Sequence, residues 1–480
     1  MSAVNRAPTD AEPPLCVDLD GTLTPVDTLE ESALQLLRRH PAALPGAFAA
    51  LLRGKAAFKN YLSAHTDFDS ARLPLREDLL DWLRSQREGG RRLVLVTAST
   101  QPIAAAVAAR TGLFDEVIAS SASHNLSGRA KRDALVQRFG AQGFDYAANG
   151  RPDLKVWAAA RRAIVVNASA GLRRRAEKLA TVEREFSRPA RLRPWLRALR
   201  PHQWVKNVLV FLPALFSHRW FEHDVVLGSL LAFACFCAAA SSAYIINDLF
   251  DLDADRRHPR KQRRPFAAGQ LSARQGLMMA ALLIAAAIVM AGLAGLGLAA
   301  VLAAYYTVTV AYSLRLKRLP IVDLMVLTGL YSIRILAGAA ATHIPASFWL
   351  LAFSTSFFLS LATVKRYIEL DALQRRGGGA AAGRGYAVAD LPIIGNLGTA
   401  SALCSVVIFA LYVQGAAAPQ LYHRPWALWA LGPVLLYWLT RLWFKAHRGE
   451  LHDDPVVFAL RDSTSRALGL VCLAVLWLAL

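Results

Sequence analysis

Between Asn247 and Gly269 the chain reads NDLFDLDADRRHPRKQRRPFAAG. The first half carries Asp248, Asp251, Asp253 and Asp255. The second half carries Arg256, Arg257, Arg260, Lys261, Arg263 and Arg264. On a helix Asn247, Asp251 and Asp255 follow one another at i, i+4, with Asp248 beside them. Carboxylates gathered this way repel one another unless a cation sits among them. Oxygen ligands with open positions suit Mg²⁺ that carries substrate phosphates. The cations that follow suit the remaining phosphate charge. A merely solvated loop needs no such segregation of acids from bases. A second stretch, Leu15 to Leu23, reads LCVDLDGTL. Its short apolar strand ends in Asp18, a second acid follows at Asp20, and Gly21 permits a tight turn.

These groups need two kinds of support. The chain has 480 residues, a net charge of +20 and 55% hydrophobic residues, a length that suggests more than one domain. Residues 1–200 read as soluble protein, whereas 201–480 carry repeated apolar runs near the length of a membrane helix. The basic excess then fits inner-face loops and anionic lipid headgroups. No nucleic-acid recognition motif accompanies it, so no nucleic-acid partner is expected. The five cysteines lack metal-ligand spacing and read as small buried hydrophobes. The first 14 residues contain no apolar core of a cleavable signal peptide.

In the soluble third, the apolar run Leu93–Val96 ends in Thr97, Lys131 lies on a helical stretch at 129–139, and Asp153 follows the turn Asn149-Gly150-Arg151-Pro152. Alternating strands and helices predict a doubly wound α/β fold, whose site lies at the carboxyl ends of the strands. Asp18, Thr97 and Asp153 are placed there. Over about 12–170 the sequence resembles the haloacid dehalogenase superfamily of phosphatases, through DLDGTL above all. The resemblance implies an α/β Rossmannoid with a small helical cap, here at about 28–90. It makes Asp18 the nucleophile of an aspartyl-phosphate and Asp20 the general acid and then base. Thr97 and Lys131 would hold the phosphoryl group, and Asp18, Asp20, Asn149 and Asp153 would serve Mg²⁺. The family's Gly-Asp pair before the last acid is Ala148-Asn149 here, so one metal ligand is neutral.

The expected division is 1–172 for this domain, 173–200 for a basic amphipathic linker on the membrane surface, and 201–480 for an all-α membrane domain. Nine spans are expected, at about 203–218, 225–247, 273–294, 296–314, 321–343, 346–364, 391–414, 425–445 and 464–480. Loops after the second, fourth, sixth and eighth are rich in Lys and Arg. That pattern places the N-terminal domain in the cytoplasm and the C-terminus outside, in an inner membrane. Lys206, Asn207, Tyr312, Lys317, Asp323 and Arg334 collect toward the same face, and an ionisable residue at the depth of Arg334 reads as functional.

NDxxDxxxD after the second span resembles the UbiA superfamily of intramembrane prenyltransferases, over about 195–480. That superfamily holds a diphosphate through Mg²⁺ and two acid-rich motifs. The second motif is missing, and its region begins with Lys365 and Arg366. RPHQWVKN, YSLRLK with Asp323, and KRYIEL resemble the branch that transfers phosphoribose to polyprenyl phosphate. The resemblance implies phosphoribosyl pyrophosphate as donor, a polyprenyl phosphate as acceptor and Mg²⁺ as cofactor. Asn247, Asp248, Asp251 and Asp255 would be metal ligands. Lys206, Arg256, Lys261, Arg264, Lys317, Lys365 and Arg366 would bind phosphate, and Tyr312 and Asp323 would position the donor. The fused phosphatase would then remove the 5-phosphate. Two rivals stand beside this: a prenyltransferase with an aromatic acceptor, and a membrane anchor for the phosphatase. The sequence leaves self-association open.

Overall fold

The computed structural model describes residues 12–66, 69, 72–121, 124–187, 192–379, 384–451 and 454–480. The chain falls into two compact units. One is Met1–Ala198 with Ile245–Met278, and the other is Leu199–Tyr244 with Met279–Leu480.

The first unit is built on a parallel sheet of six strands: β1 (Leu15–Val17), β2 (Leu93–Thr100), β3 (Glu116–Ser120), β4 (Asp145–Ala148), β5 (Arg162–Val166) and β6 (Thr181–Phe186). Their order is β3-β2-β1-β4-β5-β6. The chain builds outward on one side of β1, then returns and builds outward on the other. The crevice of this switch lies at the carboxyl end of β1, which puts Asp18 and Asp20 there. Side chains alternate between the faces. Leu15, Val17 and Leu95 join Leu79, Leu83 and Val107 in one core. Cys16, Val94 and Val96 join Leu135, Phe144 and Trp157 in the other. Covering on both faces explains why these strands read as unbroken apolar runs.

Helix α1 (Thr28–Arg39) opens the insertion after β1. Asp27 caps it by accepting from the backbone N–H of Leu29 and Glu30 at 2.9 and 3.2 Å. Glu30 and Glu31 in its first turn and Arg38 and Arg39 in its last suit the helix dipole. It stops at His40, before Pro41. With helices Leu44–Leu52 and Lys55–His65 it forms a small cap around Leu36, Ala47 and Leu62. The cap is shorter than the expected 28–90, because helix Glu77–Glu88 buries Leu79, Leu80 and Leu83 in the core of the sheet. The expected linker is also shorter. Residues 173–186 complete helix Ala170–Glu177 and form β6, an edge strand whose charged Glu183, Arg184 and Glu185 masked its alternation. Arg184 lies over the rings of Trp82 and Phe186, 5.6 and 5.2 Å from their centroids.

The second unit is helical. Among the described residues, seven helices are long and apolar enough to cross a membrane, or eight if a bent pair counts as one span. The expectation of nine is corrected at its first span. Residues 203–218 do not form one helix: Pro201–Phe211 is a 3₁₀ stretch, followed by the short helix Leu212–Phe216. Pro213 lacks the N–H that a continuous helix would use there. At the other end, the expected 464–480 is helix Ser463–Ala479, and the preceding helix Pro455–Arg461 meets it at 83°. Asp462 makes that break by capping the second helix through Ser465.

Candidate functional site

Asp18 leaves β1 with its backbone N–H held by the Ala147 carbonyl at 2.9 Å. Lys131, from helix Arg129–Phe139, donates to Asp18 Oδ1 at 2.6 Å and to Tyr146 Oη at 2.9 Å. Tyr146 donates in turn to Asp153 Oδ1 at 2.9 Å, and the Gly150 N–H donates to Asp153 Oδ2 at 2.9 Å. Burial works to lower the Lys131 pKa, but the charges of Asp18 and Asp153 raise it on balance, so it stays an ammonium. Burial, with the charge of Asp18 next, pushes Asp153 up to about 6. Asp20 Oδ1 accepts from the Thr28 N–H at 2.9 Å, and its Oδ2 accepts from Ser99 Oγ at 2.5 Å. Burial, with the charge of Asp27 next, pushes Asp20 up to about 6. A carboxyl near that value can give and take a proton at neutral pH. Thr97 is fully buried, and its Oγ1 accepts from the Ser99 N–H at 3.0 Å.

This donor set fits Mg²⁺. Thr22 Oγ1 lies 3.4 Å from both Asp18 Oδ2 and Asn149 Oδ1, so the neutral oxygen of Asn149 faces the nucleophile's side of the crevice. Gly21, at φ +75°, keeps the turn clear of Asn149, which a Cβ there would strike. Beside Ser99 a cavity of about 270 Å³ is lined by Thr28, Ser32, Lys59, Leu62 and Thr100. Lys59 is tied to the Ala98 carbonyl and Asn125 at 2.6 and 2.9 Å.

The acidic turn belongs to the same compact unit. Helix His223–Phe250 ends within it, and helix Leu252–Arg257 follows. The backbone bonds Asp251 N to Asn247 O and Asp255 N to Asp251 O, at 2.9 and 2.7 Å, carry the i, i+4 spacing across the join. Arg264 Nη1 lies 2.9 Å from Asp248 Oδ1 and 2.7 Å from Asp255 Oδ2. One nitrogen shared by two carboxylates stands where a cation shared by them would stand, so this pair also fits Mg²⁺. Among the described residues no three acids, histidines or cysteines converge as a ready metal site. Asp251 instead pairs with Arg38 at 2.9 Å. Arg256, expected to bind phosphate, has a different task. Both its Nη atoms are bound by Glu31 and its Nε donates to the Ala267 carbonyl. Lys261 is exposed.

The second unit holds two charge clusters of different balance. In the first, Lys206 Nζ and Lys365 Nζ share Asp454 Oδ2, at 2.7 and 3.6 Å. Lys206 and Arg334 both lie against the Tyr331 ring, 5.6 and 5.8 Å from its centroid. The hydrogen-bond partners of Arg334 are neutral: Asn207 Oδ1 at 2.8 Å, the Leu330 carbonyl and Tyr305 Oη. Among the described residues, three cations thus stand with one carboxylate, an arrangement that favours an anion. In the second cluster, Asp323 accepts from Tyr312 at 2.7 Å and pairs with Arg366 at 2.8 Å. Arg366 also binds Glu369, and Arg384 lies 3.3 Å from Glu369 and 3.5 Å from Asp323. Among the described residues two cations meet two acids, so Arg366 is already balanced. Lys365 and Arg366, adjacent in sequence, serve different clusters. Lys317 lies half-buried after helix Leu296–Leu314.

Sequence reasoning missed Tyr146, Ser99 and Lys59 in the first unit, and Asp454, Glu369 and Arg384 in the second. Asp454 left a signal: the pair Asp453-Asp454 stands before Pro455 between two apolar runs. Tyr146 left none, because in DYAA it reads as a core residue.

The UbiA prenyltransferase family model matches residues 208–464, and the haloacid dehalogenase-like hydrolase model matches residues 15–165. The uncharacterized protein y4nM of Sinorhizobium fredii is 37% identical over 467 residues, which cover 96% of this chain and 90% of that protein. Nodulation protein NoeC of Azorhizobium caulinodans is 38% identical over 58% of this chain and 92% of its own length. The decaprenyl-phosphate phosphoribosyltransferase of Mycobacterium tuberculosis is 32% identical over 58% of this chain and 91% of its own length.

Proposed function

The chain belongs to the UbiA prenyltransferase family and carries a haloacid dehalogenase-like hydrolase domain, and from that premise we propose that it transfers 5-phosphoribose from phosphoribosyl pyrophosphate to a polyprenyl phosphate. An oxygen of the lipid phosphate attacks C1 of the ribose as the C1–O bond to pyrophosphate breaks. The acceptor phosphate is largely ionised at neutral pH, so no general base is required. Mg²⁺ bound by Asp248, Asp251 and Asp255, with Asn247 assisting, would neutralise the departing pyrophosphate. Lys206, Lys365 and Arg334 hold phosphate charge, and Arg264 passes from its two carboxylates to the diphosphate.

The observation that carries this reading is the excess of cations over acids around Asp454 among the described residues. A prenyltransferase that binds its diphosphate through two acidic motifs would need carboxylates where Lys365 stands. Similarity to the mycobacterial phosphoribosyltransferase points the same way.

The hydrolase domain then removes the 5-phosphate. Asp18 attacks phosphorus, Asp20 protonates the departing 5-oxygen, and Asp20 as base directs water onto the aspartyl-phosphate. Lys131 balances the phosphoryl charge. The product is polyprenyl-phosphoryl ribose, made with the hydrolase domain on the cytoplasmic side. The test is lipid labelling by purified protein in detergent with Mg²⁺, polyprenyl phosphate and labelled phosphoribosyl pyrophosphate. Labelled lipid that disappears in Asp248→Asn supports the reading. Turnover only with a polyprenyl diphosphate and an aromatic acceptor overturns it.

A further inference from the structure

We propose that helix α1 of the hydrolase-like part is a working component of the transferase. It holds the acidic turn in shape, and Arg38 is the positioning residue for Asp251. The effect on catalysis rests on the transferase reading above, whereas the holding of the turn does not.

Positions 31, 35, 38 and 39 share one face of α1. All four meet the acidic turn. Glu31 takes both Nη atoms of Arg256 at 2.6 and 2.8 Å, and each side chain of this pair is 5% exposed. Gln35 and Arg39 take Asp253 Oδ2 at 3.0 and 3.3 Å. Arg38 takes Asp251 Oδ1 at 2.9 Å and donates to the Phe250 carbonyl. That carbonyl is among the last of helix His223–Phe250, which have no partner inside the helix. Beyond the turn, the Arg274 N–H donates to Glu30 Oε2 at 3.1 Å. Gly269, at φ +63°, packs where a Cβ would meet Pro25.

The far end of α1 is itself fixed. Thr28 N–H binds Asp20 at 2.9 Å, and Thr28 Oγ1 lies 2.7 Å from Ser99 Oγ. Anchored there, the helix presents its charged face to the turn as a rigid rail. The acids divide accordingly. Asp248 and Asp255 are balanced from within the turn by Arg264. Asp251 and Asp253 are balanced from α1. The bidentate Glu31–Arg256 pair sets the register between rail and turn, because either charge left alone there would be buried without a partner. Arg256 is therefore a docking residue rather than a phosphate ligand.

A charge exchange separates these two roles. The full-length protein in detergent carries Glu31→Arg, Arg256→Glu, or both, and separately Arg38→Gln or Arg38→Lys. The first readout is the rate of tryptic cutting at the exposed Arg257, Arg260, Lys261 and Arg263. The second is the Mg²⁺ concentration that half-saturates lipid labelling. Each single charge reversal and Arg38→Gln should speed cutting and raise the Mg²⁺ requirement, each by about tenfold. The double exchange and Arg38→Lys should return both to within about threefold of wild type. A double exchange as impaired as Arg256→Glu alone overturns the docking role. So do single variants that change neither readout. If Glu31→Arg fails to fold, Arg38→Gln at its partly exposed position decides the question. If wild type labels no lipid, the transferase reading has failed, and the cutting rates still decide whether α1 holds the turn.

Discussion

Lys365 and Arg366 stand side by side in sequence, yet their replacement should have opposite consequences. Arg366 and Asp323 are both fully buried and 2.8 Å apart. Removing one partner of a buried pair costs about 3–5 kcal/mol, chiefly because the other charge is stranded. Arg384, 3.5 Å from Asp323, offsets part of this, so Arg366→Met should cost about 3 kcal/mol. At roughly 2–4 °C per kcal/mol for a large domain, the melting point in detergent should fall by about 6–12 °C. Adding Asp323→Asn should recover part of the loss, since the stranded charge is gone. Lys365 is different. Its side chain is 37% exposed, and Asp454 keeps Lys206 if Lys365 is removed. Lys365→Met should therefore cost under about 1 kcal/mol, with little change in melting. Its effect should fall on lipid labelling, by about 10²-fold if it holds charge in the transition state. Thermal unfolding followed by intrinsic fluorescence, beside the labelling assay, reads both. A stable, inactive Arg366→Met beside an unstable, active Lys365→Met would refute the division into balanced and unbalanced clusters.

Lys131→Met leaves Asp18 without its ammonium, and release of phosphate from a small phosphomonoester should fall by about 10²-fold or more. Asn149→Asp adds a charge beside Asp18, and the Mg²⁺ concentration that half-saturates the phosphatase should fall roughly tenfold; an unchanged requirement would show that residue 149 does not face the metal. Burial and neighbouring acids hold Asp20 and Asp153 up to about 6, above the usual carboxylate range. Without metal, these two groups favour the folded state at low pH, and that contribution is lost as pH rises through about 6. Because a metal needs the ionised acids, the Mg²⁺-induced rise in melting temperature should be larger at pH 7 than at pH 5, and a rise independent of pH would contradict it.

Much of the first unit was legible because its strands are covered on both faces. LCV and LVLV had to be unbroken apolar runs, and the acids at the carboxyl end of β1 followed. The edge was not legible. TVEREF alternates only weakly, and its charged Glu183, Arg184 and Glu185 belong to a solvent-facing strand rather than a linker. Membrane spans were legible by length, but Pro213 breaks an apolar run that composition alone joins. The acidic turn showed its chemistry in its own residues. Its partners lie more than 200 positions away, as in Arg256 with Glu31. A run of six cations does not reveal which one faces a buried acid and which one water. Lys365-Arg366 was ambiguous for the same reason: the choice between them depends on Asp454 and Asp323, from other elements.

The mass of the lipid product tests the account most directly. Purified protein is incubated with polyprenyl phosphate, phosphoribosyl pyrophosphate and Mg²⁺, and the extracted lipid is weighed by mass spectrometry. Wild type should yield polyprenyl-phosphoryl ribose. Asp18→Asn should stop at the same lipid bearing a 5-phosphate, and Asp248→Asn should return unmodified polyprenyl phosphate. The same 5-phosphorylated lipid from both wild type and Asp18→Asn would contradict the coupled phosphatase, and no pentose on any lipid would contradict the transferase itself.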